Sequence, residues 1–176
     1  MIQYKKYYMP GTKEELLKTI DTIDCTYDIL AGGTDLYAKE KTPFNGADAA
    51  IDISGIKEFS VIKLKKEEGL ITFGSNICIQ QFLEEKVLME NVPILRHAAI
   101  YFADQQIREM ATVGGNVANS SPSGDTIAPL TALEAVIHTI TSKDNKICEK
   151  ETPITEFITG VGKNLLEKGE VISSIT

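Results

Sequence analysis

Two pairs of adjacent glycines, Gly32-Gly33 and Gly114-Gly115, constrain this chain more than any other feature. A glycine pair lets the backbone reach conformations closed to other residues, and it admits a second group with no Cβ in the way. Each pair lies in a run of small, uncharged residues that carries a hydroxyl: Ala31-Gly32-Gly33-Thr34 and Thr112-Val113-Gly114-Gly115-Asn116. Tyr27-Asp28-Ile29-Leu30 ahead of the first reads as a short strand, and Tyr37 to Lys41 behind it reads as the start of a helix. Open N–H groups in such a bend form an anion nest, strengthened by the dipole of the helix that follows. Neither loop fits the Rossmann or P-loop glycine spacing, so those two modes of nucleotide binding lose support. One Gly-Gly turn is usually plain chain reversal. Two of this composition suit a backbone cradle around a pyrophosphate shared by two subdomains.

The rest of the chain alternates short helical and strand patterns, which predicts an α+β fold. Thr12-Lys13-Glu14-Glu15 fits a capping box, and Leu16, Leu17, Ile20 and Ile23 continue as one apolar helix face. Strands are expected at Ala50 to Ile53, Val61 to Leu64 and Leu70 to Phe73, the last two joined as a hairpin through Glu67-Glu68-Gly69. Helices are expected from Ile79 to Leu88 and, after Pro93, from Ile94 to Phe102, with Ile94, Leu95, Ala98, Ala99 and Phe102 toward the core. Ala135 to Ile140 and Ile147-Cys148 flank a polar turn, so the second half reads as antiparallel.

With 176 residues the chain makes one compact domain or two small subdomains. Lys and Arg total 18 against 25 for Asp and Glu, a net charge of −7 that excludes a non-specific nucleic-acid binder. Cys25, Cys78 and Cys148 are too dispersed for a disulfide framework or a metal cluster and read as small buried apolar residues. The N-terminus has no apolar export core and no stretch suits a membrane span, so the expected compartment is the cytoplasm.

These residues resemble the FAD-binding medium subunit, or domain, of molybdenum hydroxylases, the xanthine, carbon monoxide and nicotinate dehydrogenases. The resemblance runs from Tyr8-Met9-Pro10-Gly11-Thr12 through Leu30 to Leu36, Asp52-Ile53-Ser54, Gln106-Ile107-Arg108, Ala111 to Ala118 and Ser121 to Asp125, ending at Gly169-Glu170-Val171-Ile172. It implies a two-lobed FAD-binding fold, with residues 1–56 as a first lobe of small mixed sheet and 57–176 as a second, mainly antiparallel lobe with helices. It implies that Ile29, Leu30, Ala31, Gly32, Gly33, Thr34, Asp35 and Leu36 run along the FAD pyrophosphate. Thr112, Gly114, Gly115 and Asn116 are implied as FAD contacts from the second loop, and Asp125 as an acceptor for cofactor hydroxyls. Phe102 and Ala103 would line the cofactor, with Val171 and Ile172 near its far end. The chain departs from the family at Glu109, often Asn, and by stopping at Thr176 where relatives continue into a C-terminal domain.

By the same resemblance the chain carries no catalytic and no metal-binding residue of its own. A large partner subunit would hold molybdopterin and hydroxylate the substrate, and a small partner subunit would hold 2Fe–2S centres. FAD on this chain would collect the electrons for NAD⁺ or another acceptor. Two alternatives remain at the level of sequence: a free-standing flavoprotein of the wider superfamily, such as the reductase of cell-wall nucleotide-sugar synthesis or a carbohydrate oxidase, and a non-redox assembly domain with the same fold. His97 and His138 lack partners at metal-ligand spacing and are expected to be structural. Asp35 and Asp125 also read as helix caps, and Arg108 as a dipole partner at a helix end.

Overall fold

The computed structural model describes residues 4–38, 47–144 and 146–176. The N-terminal part is a three-stranded sheet of β1 (Lys6–Tyr8), β2 (Tyr27–Leu30) and β3 (Ala49–Asp52). Its order is β1-β3-β2, with both outer strands parallel to β3. Parallel pairing needs a crossover, and helix α1 (Lys13–Thr22) makes the one between β1 and β2. The α1 N-terminus is fixed by Thr12, whose hydroxyl accepts from the Glu15 N–H. The reciprocal half of the expected capping box is displaced by one residue, because the Glu15 carboxylate accepts from the Gly11 N–H at 2.7 Å rather than from Thr12. Leu16 and Leu17 on this helix are buried against Ile51, Ile53, Ile56 and Phe59. The chain then bends at Gly32-Gly33 into α2 (Thr34–Ala38), so this helix begins earlier than the expected Tyr37; residues 39–41 of that expectation lie outside the described residues.

The larger sheet is antiparallel, with strand order β4-β5-β10-β6-β7. β4 (Ile62–Lys65) and β5 (Leu70–Gly74) form the expected hairpin, closed by a 3-10 turn at Lys66–Glu68 and by Gly69 at φ +67°. β6 (Val136–Lys143) and β7 (Lys146–Pro153) form a second, longer hairpin. β10 (Val171–Ile175) inserts between the two hairpins and pairs with β5 and β6.

Small helices pack onto this sheet through a core shared with Phe73, Ile137 and Ile175. The helix expected over 79–88 is two, α3 (Gln81–Glu84) and α4 (Lys86–Asn91), broken at Glu85. Phe82 and Leu88 would point about 120° apart on one continuous helix. The break lets both bury in the same core. α5 (Pro93–Tyr101) starts with Pro93 at its first turn and buries Leu95 and Ala99, whereas Ile94 is exposed rather than on the core face. α6 (Gln105–Met110), α7 (Val113–Asn119) and α8 (Ile127–Ala132) follow before β6. After β7 come α9 (Ile154–Phe157) and a two-stranded ribbon of β8 (Ile158–Gly160) and β9 (Lys163–Asn164).

Two apolar cores result, and β10 belongs to both. Val171 joins Leu16, Ile51, Phe59 and Ile140 in one, while Ile172 and Ile175 join Phe73, Phe82, Leu95 and Val117 in the other. Alternation sends Val171 and Ile172 to opposite faces, and the register shift between Ile172 and Ser174 returns Ile175 to the face of Ile172, so one short strand links the two sheets.

Candidate cofactor-binding site

The second glycine pair is not a loop. Ile77 and Ile79 are fully buried, and their segment pairs with the chain at 111–113: the Ile79 N–H donates to the Ala111 carbonyl at 2.9 Å and the Val113 N–H to the Ile77 carbonyl at 2.9 Å. That pairing places Thr112 as the N-cap of α7, with Gly114 and Gly115 in its first turn. Every early N–H of this helix is held internally. Gly114 donates to the Ser75 carbonyl at 2.9 Å, Gly115 to the Thr112 hydroxyl at 3.1 Å, and Asn116 to the Thr112 carbonyl at 3.0 Å. An anion nest requires open N–H groups, so the expectation of one here does not survive. Gly114 is needed for packing instead, since a Cβ on it would lie 2.5 Å from the Ser75 Cβ.

The first glycine pair keeps the features expected of it. Gly33 has φ +71°, a left-handed conformation suited to glycine. Among the described residues no hydrogen bond takes the N–H of Gly32 or Gly33, and the first N–H groups of α2 have no intrahelical partner by construction. The bend is pressed tightly against α6: a Cβ on Gly32 would come within 1.9 Å of the Met110 carbonyl oxygen.

Between this bend and α7 lies a cavity of about 260 Å³. Ile29, Ala31, Gly32 and Gly33 form one side, continued by Thr34, Asp35 and Leu36 of α2. Thr112, Gly114, Gly115 and Asn116 face it from α7, with Phe102 at the edge and Val171 and Ile172 of β10 across the back. Leu30, Ala103 and Asp125 do not line it. Leu30 is excluded by strand alternation, which turns Ile29 and Ala31 inward. Ala103 is exposed, with φ +36°, at the corner between α5 and α6. Asp125 is exposed, and the residue at the α8 N-cap is Thr126, which makes no capping bond there. The Thr126 hydroxyl instead donates to Asn116 Oδ1 at 2.6 Å, and among the described residues the Asn116 amide nitrogen has no hydrogen-bond partner.

Among the lining residues that sequence reasoning did not assign to the site are Ile53, Ser75, Asn76 and Glu170, besides Ala111, Ala118, Asn119 and Leu166. Glu170 belongs to the Gly169-Glu170-Val171-Ile172 segment of the resemblance, which assigns it no contact. Its carboxylate accepts from the Thr139 hydroxyl and from the Glu167 N–H, the latter at 2.9 Å. Among the described residues no Lys or Arg lines the cavity. Arg108, expected as a dipole partner at a helix end, donates from Nη1 to the carbonyls of Phe102 at 2.9 Å and Ala103 at 3.1 Å, and from Nε to Gln80 Oε1 at 3.0 Å. It locks the corner that carries Phe102.

Other expected roles fall outside the site. His138 bonds the Thr176 hydroxyl at 2.8 Å on the sheet, and His97 packs edge-on against Tyr101 at 5.4 Å. All three cysteines are free and half-buried rather than fully buried. Burial pushes the Cys78 thiol above its ordinary pKa, and among the described residues no group of side chains is placed to hold a metal ion. No described helix is long and apolar enough to cross a membrane.

The donor set suits part of a dinucleotide. Open backbone N–H groups and the Thr34 hydroxyl suit a diphosphate, apolar Ile29, Phe102, Val171 and Ile172 suit an aromatic or sugar edge, and the volume is below the ~300–1,000 Å³ usual for a whole ligand of drug size. Comparisons with known proteins agree. A family model described as the FAD binding domain in molybdopterin dehydrogenase matches residues 2–176. The chain therefore belongs to that family of FAD-binding domains. It is 29% identical over 174 residues to the nicotinate dehydrogenase FAD-subunit of Eubacterium barkeri, covering 97% of this chain and 57% of that one. It is 31% identical over 144 residues to a putative xanthine dehydrogenase FAD-binding subunit of Escherichia coli, covering 82% of this chain and 48% of that one. The chain thus spans about half the length of the curated relatives it matches. Among solved structures, carbon monoxide dehydrogenase from Hydrogenophaga pseudoflava superposes with a TM-score of 0.89 at 26% identity, over 99% of this chain and 59% of that one. UDP-N-acetylenolpyruvylglucosamine reductase from Thermus caldophilus shares the fold alone, with a TM-score of 0.53 at 17% identity over 96% of this chain and 53% of that one.

Proposed function

We propose that this chain is the FAD-binding part of the flavoprotein subunit of a cytoplasmic molybdenum-containing hydroxylase. In this reading residues 1–56 and 57–176 act as two lobes around the cofactor. The observation that carries it is the cavity shared by the Gly32-Gly33 bend, α7 and β10, with open N–H groups on the first of these and packed amides on the second. FAD, when bound, supplies redox chemistry that accepts and releases electrons one or two at a time. The protein's own work is positional. Gly32, Gly33 and Thr34 hold the diphosphate through N–H and hydroxyl donors, and Asn116 offers its amide from the facing helix. Phe102, Val171 and Ile172 exclude water from the apolar part. The electrons would come from 2Fe–2S centres on a small partner subunit, fed by molybdopterin on a large one, and leave to NAD⁺ or another acceptor.

Titration of the purified chain with FAD, followed by flavin fluorescence and absorbance, tests the reading. Saturable binding with one FAD per chain is expected, and Gly115→Val should weaken it strongly by placing a branched side chain on the cavity wall. Absence of binding, or equal affinity in the variant, would overturn it. The chain with FAD alone should not oxidise a purine, an aldehyde or an N-heterocycle, and turnover of any of them would refute the proposed division of labour.

A further inference from the structure

Two adjacent residues that line the cavity each hold a buried polar atom that the described residues leave unsatisfied. Ser75 Oγ and Asn76 Oδ1 are buried, and neither has a hydrogen-bond partner among the described residues. Both residues line the cavity, and Ser75 is only 2% exposed. Buried polar side-chain atoms are nearly always paired, so two adjacent exceptions in one cavity wall call for a partner that arrives later.

The rest of both residues is fixed. The Ser75 N–H donates to the Ser173 carbonyl of β10 at 3.0 Å, and its carbonyl accepts from Gly114 of α7. The Asn76 N–H donates to the Phe59 carbonyl at 2.8 Å, and its Nδ2 donates to the Ile53 carbonyl at 2.7 Å. The last bond settles the orientation of the carboxamide. Oδ1 is therefore an acceptor only, beside a serine hydroxyl that both donates and accepts.

We infer that Ser75 and Asn76 form a hydroxyl-reading edge of the site, to which a sugar hydroxyl of FAD donates at Asn76 Oδ1 while accepting from the Ser75 hydroxyl. This rests on the FAD reading above and assigns residues that the sequence did not mark. A phosphate oxygen does not fit the position, because an anionic acceptor facing Asn76 Oδ1 is repelled. A hydroxyl fits both atoms because it donates and accepts through one oxygen. The dinucleotide offers such hydroxyls in two places, the ribose of its adenosine half and the ribityl chain of its flavin half.

Ser75→Ala separates this role from a packing defect, since alanine fills the same space without the hydroxyl. Loss of an unpaired buried group should raise the melting temperature of the FAD-free chain by about 2–4 °C. FAD affinity measured by fluorescence titration should fall about tenfold, the effect of one hydrogen bond. Competition with ADP and with riboflavin then locates the partner: a matching loss for ADP assigns the adenosine ribose, and a matching loss for riboflavin assigns the ribityl chain. Unchanged or tighter FAD binding in a more stable Ser75→Ala chain overturns the inference alone. Failure of the parent chain to bind FAD overturns the reading on which it rests.

Discussion

At the scale of single residues, the glycines divide by what their missing side chain makes room for. Gly32 makes room for protein, because its Cα faces the Met110 carbonyl and a Cβ there would sit 1.9 Å from the oxygen. Gly32→Ala is therefore expected to destabilise the chain by about 1–3 kcal/mol or more, seen as a lower urea midpoint with an unchanged slope. Gly115 lines the cavity, where the proposed function puts the ligand. A Cβ there meets only the Thr112 hydroxyl, at 2.9 Å, and alanine is the better helix former. Gly115→Ala should leave folding within about 1 kcal/mol of the parent while weakening FAD binding. The same urea series and an FAD titration check both halves of that expectation. Gly33 falls between the two classes: its φ of +71° makes any β-branched substitution strained, so a Gly33→Val variant mixes folding loss with binding loss.

Among the elements, α6 is tied by two side chains to the corner that precedes it. Asp104 caps its N-terminus by accepting from the Ile107 N–H at 2.9 Å, and Arg108 reaches back to the carbonyls of Phe102 and Ala103. Arg108→Met keeps much of the aliphatic stem but releases both carbonyls and Gln80. A loss of about 1–3 kcal/mol is expected, with faster amide exchange confined to the α5–α6 corner. Exchange spread evenly over the chain would refute a local role. The same scale shows what could be read in advance. α1, the β4–β5 hairpin and the β6–β7 hairpin were legible because capping, periodicity and turn residues all act within a few positions. α7 was not, since glycine is a poor helix former and this helix starts because Ile77 and Ile79 pair with the chain at 111–113. The first glycine bend carries its local signal in its own residues, a strand before it and a helix after it. Ser75 and Asn76 left no local signal, as their place on the cavity wall is set by β10, α7 and Ile53 from elsewhere in the sequence.

For the molecule as a whole, charge ties the strand β1 to its surroundings at the surface. Lys5 bonds Asp48 at 2.6 Å and Lys6 bonds Asp24 at 3.3 Å. Hydrogen bonding to Lys5 and Lys6 lowers the two carboxyl pKa values below the ordinary 3.8, and the carboxylates in turn raise the two ammonium values above 10.5. The depressed carboxylates stabilise the fold at neutral pH, and this is lost as pH falls through their lowered values. The raised ammonium groups lose theirs as pH climbs beyond 10.5. Asp48→Asn should thus be less stable than the parent at pH 7, with the difference closing near about pH 2 and in about 1 M salt. A gap that persists in both conditions would show that the pair acts by something other than charge. The placement of β10 has a consequence for biosynthesis. Val171–Ile175 lies centrally in the larger sheet although it is the latest strand of the described chain, so a nascent chain that has emerged only as far as β9 carries two hairpins with an open slot between them. Both cores and the back wall of the cavity wait for the same five residues. Flavin loading is then necessarily a late event, and chains stalled on the ribosome before Val171 should remain protease-sensitive in the presence of FAD, whereas early protection would mean that the slot closes without its strand.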